Sequence, residues 1–341
     1  MKLDTVLATT DLRDVGPVAR HAEEMGFDFL WAPETVASPM MLLGVAALET
    51  SKIGLGTAIL VAFPRSPMIT AMEAWQVQKA SGGRFVLGLG TQVKGHNERR
   101  FSVPFDRPGP RLREMILALR HIWKAFQGEE RLSWKGEFYR FDLITPFFNP
   151  GPIEHPTIPI YIAGVNEYMC RLAGELCEGF HVHPFHSVKY LNEVVLPAIS
   201  TGLASAGRKR EDIQLTAPVF VCLGRDEKEI EAAKGPVRAQ IAFYGATRTY
   251  KPVFNVHGWG DATAELQRLM AEGRFAEMAS VIDDEMLAVY ALEATYEDLV
   301  DKLKAKYSGI LDRVYLYLPL PQKMPEDLEL RWRAIISEMN S

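Results

Sequence analysis

Short apolar or β-branched runs recur along the chain at residues 2–8, 27–32, 53–61, 85–90, 158–163, 179–183, 213–223 and 313–318. Between them the period lengthens to that of a helix. Val15, Val18, Ala19, Ala22 and Met25 fall on one face and stop at Gly26, a residue suited to a left-handed C-cap. Further helical patterns cover 68–80, 111–126, 167–177, 188–206, 227–243, 296–306 and 326–339. Runs without strict alternation, such as Ile59-Leu60-Val61, read as strands covered on both faces, which is how parallel strands under helices behave. Strands alternating with helices in this number, ending on a helix, predict a closed (β/α)8 TIM barrel. An open doubly wound sheet is the rival. It lacks support because no G-x-G-x-x-G follows the first strand, and Gly88-Leu89-Gly90-Thr91-Gln92-Val93 lacks the third glycine.

The sequence of 341 residues exceeds one bare barrel. We read residues 1–341 as a single barrel domain with insertions at about 91–110, 129–159 and 244–294. The second contains a hairpin-like stretch from Trp134 to Tyr139, and the third is expected to form a mobile wall over the barrel mouth. The chain is 48 % hydrophobic and 24 % charged, an ordinary globular balance, with a net charge of −5. That charge gives no global attraction for nucleic acid or anionic lipid. The most apolar stretch, 39–48, is too short for the ~20 residues that span a bilayer. Cys170, Cys177 and Cys222 show no C-x-x-C spacing and read as buried thiols in a reducing compartment, so a cytoplasmic location is expected. The expected partners are a small-molecule substrate and a second copy of the chain in a homodimer.

In a barrel the ligand pocket lies at the C-terminal ends of the strands. Those ends carry Thr9-Thr10, Pro33-Glu34, Ala62-Phe63-Pro64-Arg65, Gly90-Thr91-Gln92, Gly164-Val165-Asn166, His183-Pro184-Phe185-His186, Gly224-Arg225 and Pro319-Leu320. The set is small, polar and aromatic, which suits a planar, partly apolar ligand. Gly164-Val165-Asn166 opens a helix, so its N–H groups are placed either to hold a phosphate or simply to make a βα turn. His181, His183 and His186 invite a metal, but Leu318-Pro319-Leu320 offers no carboxylate opposite, so neutral pocket histidines are expected and no metal. Glu34 reads either as a solvated carboxylate or as a pocket group that bonds a cofactor or relays a proton.

From Gly54 to Trp123 the chain resembles the bacterial luciferase-like family. The resembling segments are Gly54-Leu55-Gly56-Thr57-Ala58-Ile59-Leu60, the run from Gly82 to Thr91, Arg111-Leu112-Arg113-Glu114 and Leu119-Arg120-His121-Ile122-Trp123. Gly136-Glu137-Phe138-Tyr139 and Pro159-Ile160-Tyr161-Ile162-Ala163-Gly164 continue the order, and 240–295 resembles the family least. Gly90 to Lys94 and Asn97 to Phe101 are most similar to deazaflavin-dependent members.

The resemblance implies an oxidoreductase with coenzyme F420 at the barrel mouth, FMN being the alternative cofactor. Hydride would move between the deazaflavin and a small organic substrate. It further implies that Thr9, Ala58, Ile59 and Thr91 bind the ring, that Gly164, Val165 and Asn166 hold the phosphate, and that Glu34 and Gln92 carry catalysis. A cis peptide bond is implied between Ala58 and Ile59. Arg65, Arg99 and Arg100 are candidates for an anionic tail. Sugar-phosphate dehydrogenases of this kind carry a histidine and a glutamate where this chain has Thr35 and Val93, so that chemistry is not implied. An FMN-dependent monooxygenase and a non-catalytic flavin-binding barrel are the competing readings, with a metal-dependent hydrolase behind them.

Overall fold

The computed structural model describes residues 1–318 and 324–341, so the expected pocket residues Pro319 and Leu320 lie outside the described residues. The chain divides into two compact units. One comprises Val6–Ala163 and Leu176–Gly179; the other comprises Met1–Thr5, Gly164–Glu175 and Phe180–Ser341.

In the first unit, Phe29–Ala32, Gly54–Thr57, Phe85–Gly90 and Ile160–Gly164 pair in that order, all parallel. The helices Leu12–Met25, Pro39–Glu49, Pro67–Ala80 and Pro108–Gln127 accompany them. The predicted period appears intact in Leu12–Met25, with Val15, Ala19, Ala22 and Met25 buried and Gly26 left-handed at φ 93°. One sheet face is filled by large rings set against glycines. Phe29 and Trp31 stack with centroids 4.7 Å apart, and a Cβ at Gly54 or Gly56 would fall inside one of those rings. Tyr161 likewise occupies the Cβ position of Gly179. This large-against-small alternation packs a core densely without voids.

In the second unit, Lys2–Val6, Arg313–Leu316, Gln214–Gly224 and Gly179–Val182 are neighbours. Gln214–Gly224 pairs with Arg313–Leu316 up to Val219 and with Ala291–Thr295 from Phe220 onward. Helices Glu167–Leu176 and Leu196–Ser205 cross so closely that a Cβ at Gly174 would lie 2.2 Å from Ile199 O, and one at Gly202 would lie 2.0 Å from Arg171 O. All three cysteines are buried.

All eight expected strands are present. Two elements differ from the reading of the sequence. Residues 39–48, noted only as apolar, form the helix Pro39–Glu49, whose Met40, Leu42, Leu43, Ala46 and Ala47 are buried with no polar stripe to mark a period. The segment 244–294 is largely helical, and its end, Ala291–Thr295, is a strand of the sheet. Val253, Phe254, Leu266, Leu269, Met286, Leu287 and Tyr290 are all buried, so the segment carries its own apolar packing. The predicted hairpin is the antiparallel pair Trp134–Lys135 and Arg140–Phe141. Among the described residues no helix is long and apolar enough to cross a membrane.

Candidate active site

Six of the nine predicted site residues lie in the first unit: Thr9, Glu34, Ala58, Ile59, Thr91 and Gln92. The third strand makes the local geometry. Leu55 and Gly56 pair with Phe85 and Val86, but Leu60 and Val61 pair with Leu89 and Gly90. The register therefore slips by one residue between Gly56 and Leu60, which is a β-bulge. Thr57 clamps its start, its hydroxyl donating to Gly88 O at 2.7 Å and accepting from Gly88 N–H at 2.8 Å. The Ala58–Ile59 bond within the bulge is cis, as the resemblance implied. Ala58 N–H donates to Ala32 O, and Ile59 O accepts from Glu34 N–H. Ile59 lies across the bare Cα of Gly90, where a Cβ would come within 2.6 Å of its Cδ1.

Glu34 is neither a loosely solvated carboxylate nor a free one. Arg65 donates to both its oxygens, at 2.8 and 3.0 Å, and Val61 N–H donates to Oε2 at 2.7 Å. The pair is largely buried, with side-chain exposures of 8 % for Glu34 and 17 % for Arg65. Arg65 also lies 3.9 Å from Glu73, whose carboxyl is held above its usual range by burial, against the Arg65 charge and with that of Glu34. Arg65 is thus committed to carboxylates and is withdrawn as a candidate for an anionic tail.

Beyond Gly90 the chain turns sharply. Gln92 adopts a left-handed conformation at φ 56°, unusual for a side chain with a Cβ. Its Oε1 accepts Val93 N–H at 2.9 Å, while Thr91 Oγ1 donates to Gln92 O. Asn97, fully buried, donates through Nδ2 to Thr91 O and Val93 O and braces the turn. That role was not visible in the sequence, where Asn97 stood only as a member of a resembling segment. Thr9 Oγ1 accepts Asp11 N–H at 3.1 Å at the entrance to the first helix. Arg100 donates to Thr35 O and lies over the Phe101 ring, whereas Arg99 is exposed and makes no ion pair among the described residues.

The second unit holds the other three residues. Asn166 O accepts from Met169 and Cys170 N–H, which makes Asn166 the first cap of the helix and leaves the N–H groups of Glu167 and Tyr168 without intrahelical acceptors. Tyr190 Oη donates to Val165 O at 2.7 Å and fixes the turn. Gly164 is bare for a reason, since a Cβ there would fall 2.3 Å from Met169 Cβ. His183 and His186 follow the strand Gly179–Val182. His183 Nδ1 accepts Phe185 N–H, and His186 Nδ1 lies 2.8 Å from His183 O. Both rings are held neutral: burial, then the neighbouring His186, pushes His183 down to about 3, and burial pushes His186 down to about 4. Among the described residues no three histidine, cysteine or carboxylate side chains are grouped to hold a metal.

The Luciferase-like monooxygenase family model matches residues 3–313. The chain belongs to that family. Its fold is the family's (β/α)8 barrel, as the strand pattern predicted. A protein of Mycobacterium tuberculosis, itself uncharacterized, is 43 % identical over 92 % of each chain. The 5,10-methylenetetrahydromethanopterin reductase of Methanopyrus kandleri is 26 % identical over 94 % of this chain and 93 % of its own. The solved coenzyme F420-dependent tetrahydromethanopterin reductase of that organism matches with a TM-score of 0.79 and 21 % identity, covering 100 % of this chain and 99 % of that one. A type II Baeyer-Villiger monooxygenase from Pseudomonas putida, solved with FMN, matches with a TM-score of 0.71 and 16 % identity over 100 % and 98 %. This chain is therefore an oxidoreductase-family barrel related to F420-dependent reductases, with FMN proteins among its structural neighbours.

Two family-resembling segments prove to be one lock. Glu114, on the helix Pro108–Gln127, accepts the N–H groups of Glu137, Phe138 and Tyr139 at 2.8–2.9 Å. Its Oε1 would lie 1.8 Å from a Cβ at Gly136, so the carboxylate itself requires the glycine. Arg111 adds a bond to Tyr139 Oη and lies over the Phe63 ring at 4.5 Å.

Proposed function

We propose that this protein is a coenzyme F420-dependent oxidoreductase that moves a hydride between the deazaflavin and a small organic substrate. The observation that carries this reading is the relatedness, over nearly the whole chain, to reductases that use that coenzyme. The chain's own groups fit such a ligand. The N–H groups of Glu167 and Tyr168, which lack intrahelical acceptors, would hold a phosphate at the opening of the helix Glu167–Leu176. The bulge at Ala58–Ile59 offers a firm apolar support for a flat ring, since it is clamped from both neighbouring strands.

When bound, the deazaflavin supplies a two-electron carrier that exchanges hydride at a ring carbon. Gln92 keeps its amide nitrogen for a ligand, because only its oxygen is engaged locally. Thr9, beyond the strand Lys2–Val6, and Thr91, beyond Phe85–Gly90, contribute hydroxyls, and Arg99 is an exposed cation for an anionic tail. Glu34 acts by holding the bulge rather than by exchanging protons, since Arg65 and Val61 occupy both oxygens. Thr35 and Val93 stand where sugar-phosphate dehydrogenases carry their acid–base pair, which directs the reading away from sugar phosphates.

Titration of the purified chain decides the cofactor. Deazaflavin should bind with a Kd of about 1 μM or tighter, and FMN far more weakly. Tight binding of FMN without affinity for deazaflavin would overturn the assignment in favour of an oxygen-using monooxygenase.

A further inference from the structure

In the second unit, aromatic side chains from several elements meet at the C-terminal side of the parallel strands. His183 follows Gly179–Val182, Tyr317 follows Arg313–Leu316, and Phe220 lies within Gln214–Gly224. Tyr244, in the last turn of the helix Glu227–Gly245, and Tyr250, in the turn Arg248–Tyr250, complete the group. The His183 ring lies 4.3 Å from Tyr250 and 4.7 Å from Tyr244, and Phe220 lies 5.0 Å from Tyr317. Phe220 is buried, Tyr317 is 40 % exposed, and the other three are half-buried. The group therefore has a floor and an open side.

Its hydrogen-bonding capacity is specific. His183 Nδ1 accepts Phe185 N–H, so the neutral ring carries its proton on Nε2, which has no acceptor among the described residues. Tyr244 Oη and Tyr317 Oη are 2.6 Å apart. One hydroxyl donates to the other, and the second keeps its own proton to donate outward. No ion pair and no cation over a ring reaches these five side chains among the described residues. The cleft thus presents aromatic walls and neutral donors, and among the described residues no charged side chain is bonded to it.

We infer that this aromatic cleft is the substrate subsite and that it takes an uncharged carbonyl compound with a flat or apolar body, its oxygen accepting from His183 Nε2–H and from the Tyr244–Tyr317 pair. The inference deepens the redox reading and rests on it for the fate of the carbonyl; the binding itself does not. A carboxylate or phosphate is disfavoured because these aromatic walls and neutral donors would desolvate it without pairing its charge.

Acetophenone and benzoate are matched probes, and ligand-observed NMR on the purified full chain measures both without cofactor. Acetophenone should bind saturably and benzoate at least about tenfold more weakly. Tyr317→Phe and His183→Phe should each weaken acetophenone about three- to tenfold, one neutral hydrogen bond apiece. His183→Gln, which keeps an N–H donor, should recover part of that loss, and melting curves confirm that each variant is folded. Absence of saturable acetophenone binding, equal binding of benzoate, or affinity unchanged in both Tyr317→Phe and His183→Phe overturns the inference. Deazaflavin titration of the same proteins separates the two readings: failure of wild type to bind deazaflavin defeats the redox reading and leaves the acetophenone result standing.

Discussion

Arg65→Met should destabilise the protein by about 2–4 kcal/mol and weaken cofactor binding with it. The guanidinium meets Glu34 through two short bonds in a largely buried setting, and it also reaches Val61 O. Removing one member of a buried pair costs several kcal/mol because the other stays charged, and the 17 % exposure of Arg65 trims that figure. Glu34→Gln should cost less, since its amide oxygen can still accept Val61 N–H. The double variant should be less damaged than the sum of the singles, as expected for two residues acting as a unit. Urea unfolding of the four proteins measures the coupling. Parallel loss of deazaflavin affinity in both single variants supports a clamp on the Ala58–Ile59 bulge. Intact stability and cofactor affinity in Glu34→Gln, with turnover abolished, would instead make Glu34 a direct proton carrier.

The second large effect is acid sensitivity. An unfolded histidine titrates near 6.5, whereas burial holds His186 neutral down to about 4 and His183 down to about 3. Above pH ~6.5 both states are neutral and neither residue contributes. As the pH falls below that value the unfolded chain takes up protons that the native state refuses, so stability declines. At pH 5 the loss is about 2 kcal/mol for His186 and less for the half-buried His183. His186 Nε2 is buried with no hydrogen-bond partner among the described residues, so charging it in place has no compensation there. His186→Gln should flatten the slope of unfolding free energy between pH 7 and 5, whatever it does to the value at pH 7. Identical slopes for variant and wild type would refute this account.

Legibility in the sequence followed the range of the interaction. The Leu12–Met25 helix was visible because its signals, a 3.6-residue stripe and a glycine stop, are local. The helix Pro39–Glu49 was not visible as one, because Met41 and Leu48, though exposed, are as apolar as its buried positions and leave no polar face to set a period. Ala291–Thr295 escaped for a related reason: Ala-Leu-Glu-Ala-Thr has weak strand preference, and it is made a strand by pairing with Phe220–Gly224. Among site residues, positions at strand ends could be listed from the sequence, but their engagements could not. Glu34 and Arg65 are 31 residues apart and Glu114 reaches N–H groups 23–25 residues away, so no spacing rule distinguishes a clamp from a catalyst. Gly136 belongs to the same class, since its missing side chain is explained only by the carboxylate that fills the place.

The chain's three cysteines are sequestered thiols. Burial pushes Cys170 up to about 12 and Cys222 up to about 11, and Cys177 is wholly enclosed. At neutral pH the reactive thiolate of Cys170 is then a fraction of roughly one in 100,000. Alkylating reagents consequently see this protein as thiol-free until it opens, which turns their uptake into a clock for unfolding. The same silence leaves the surface free for labelling. A cysteine introduced at exposed Ala276 would be the one fast-reacting thiol, and a fluorophore there would report movement of the helical segment around it against the rest of its unit.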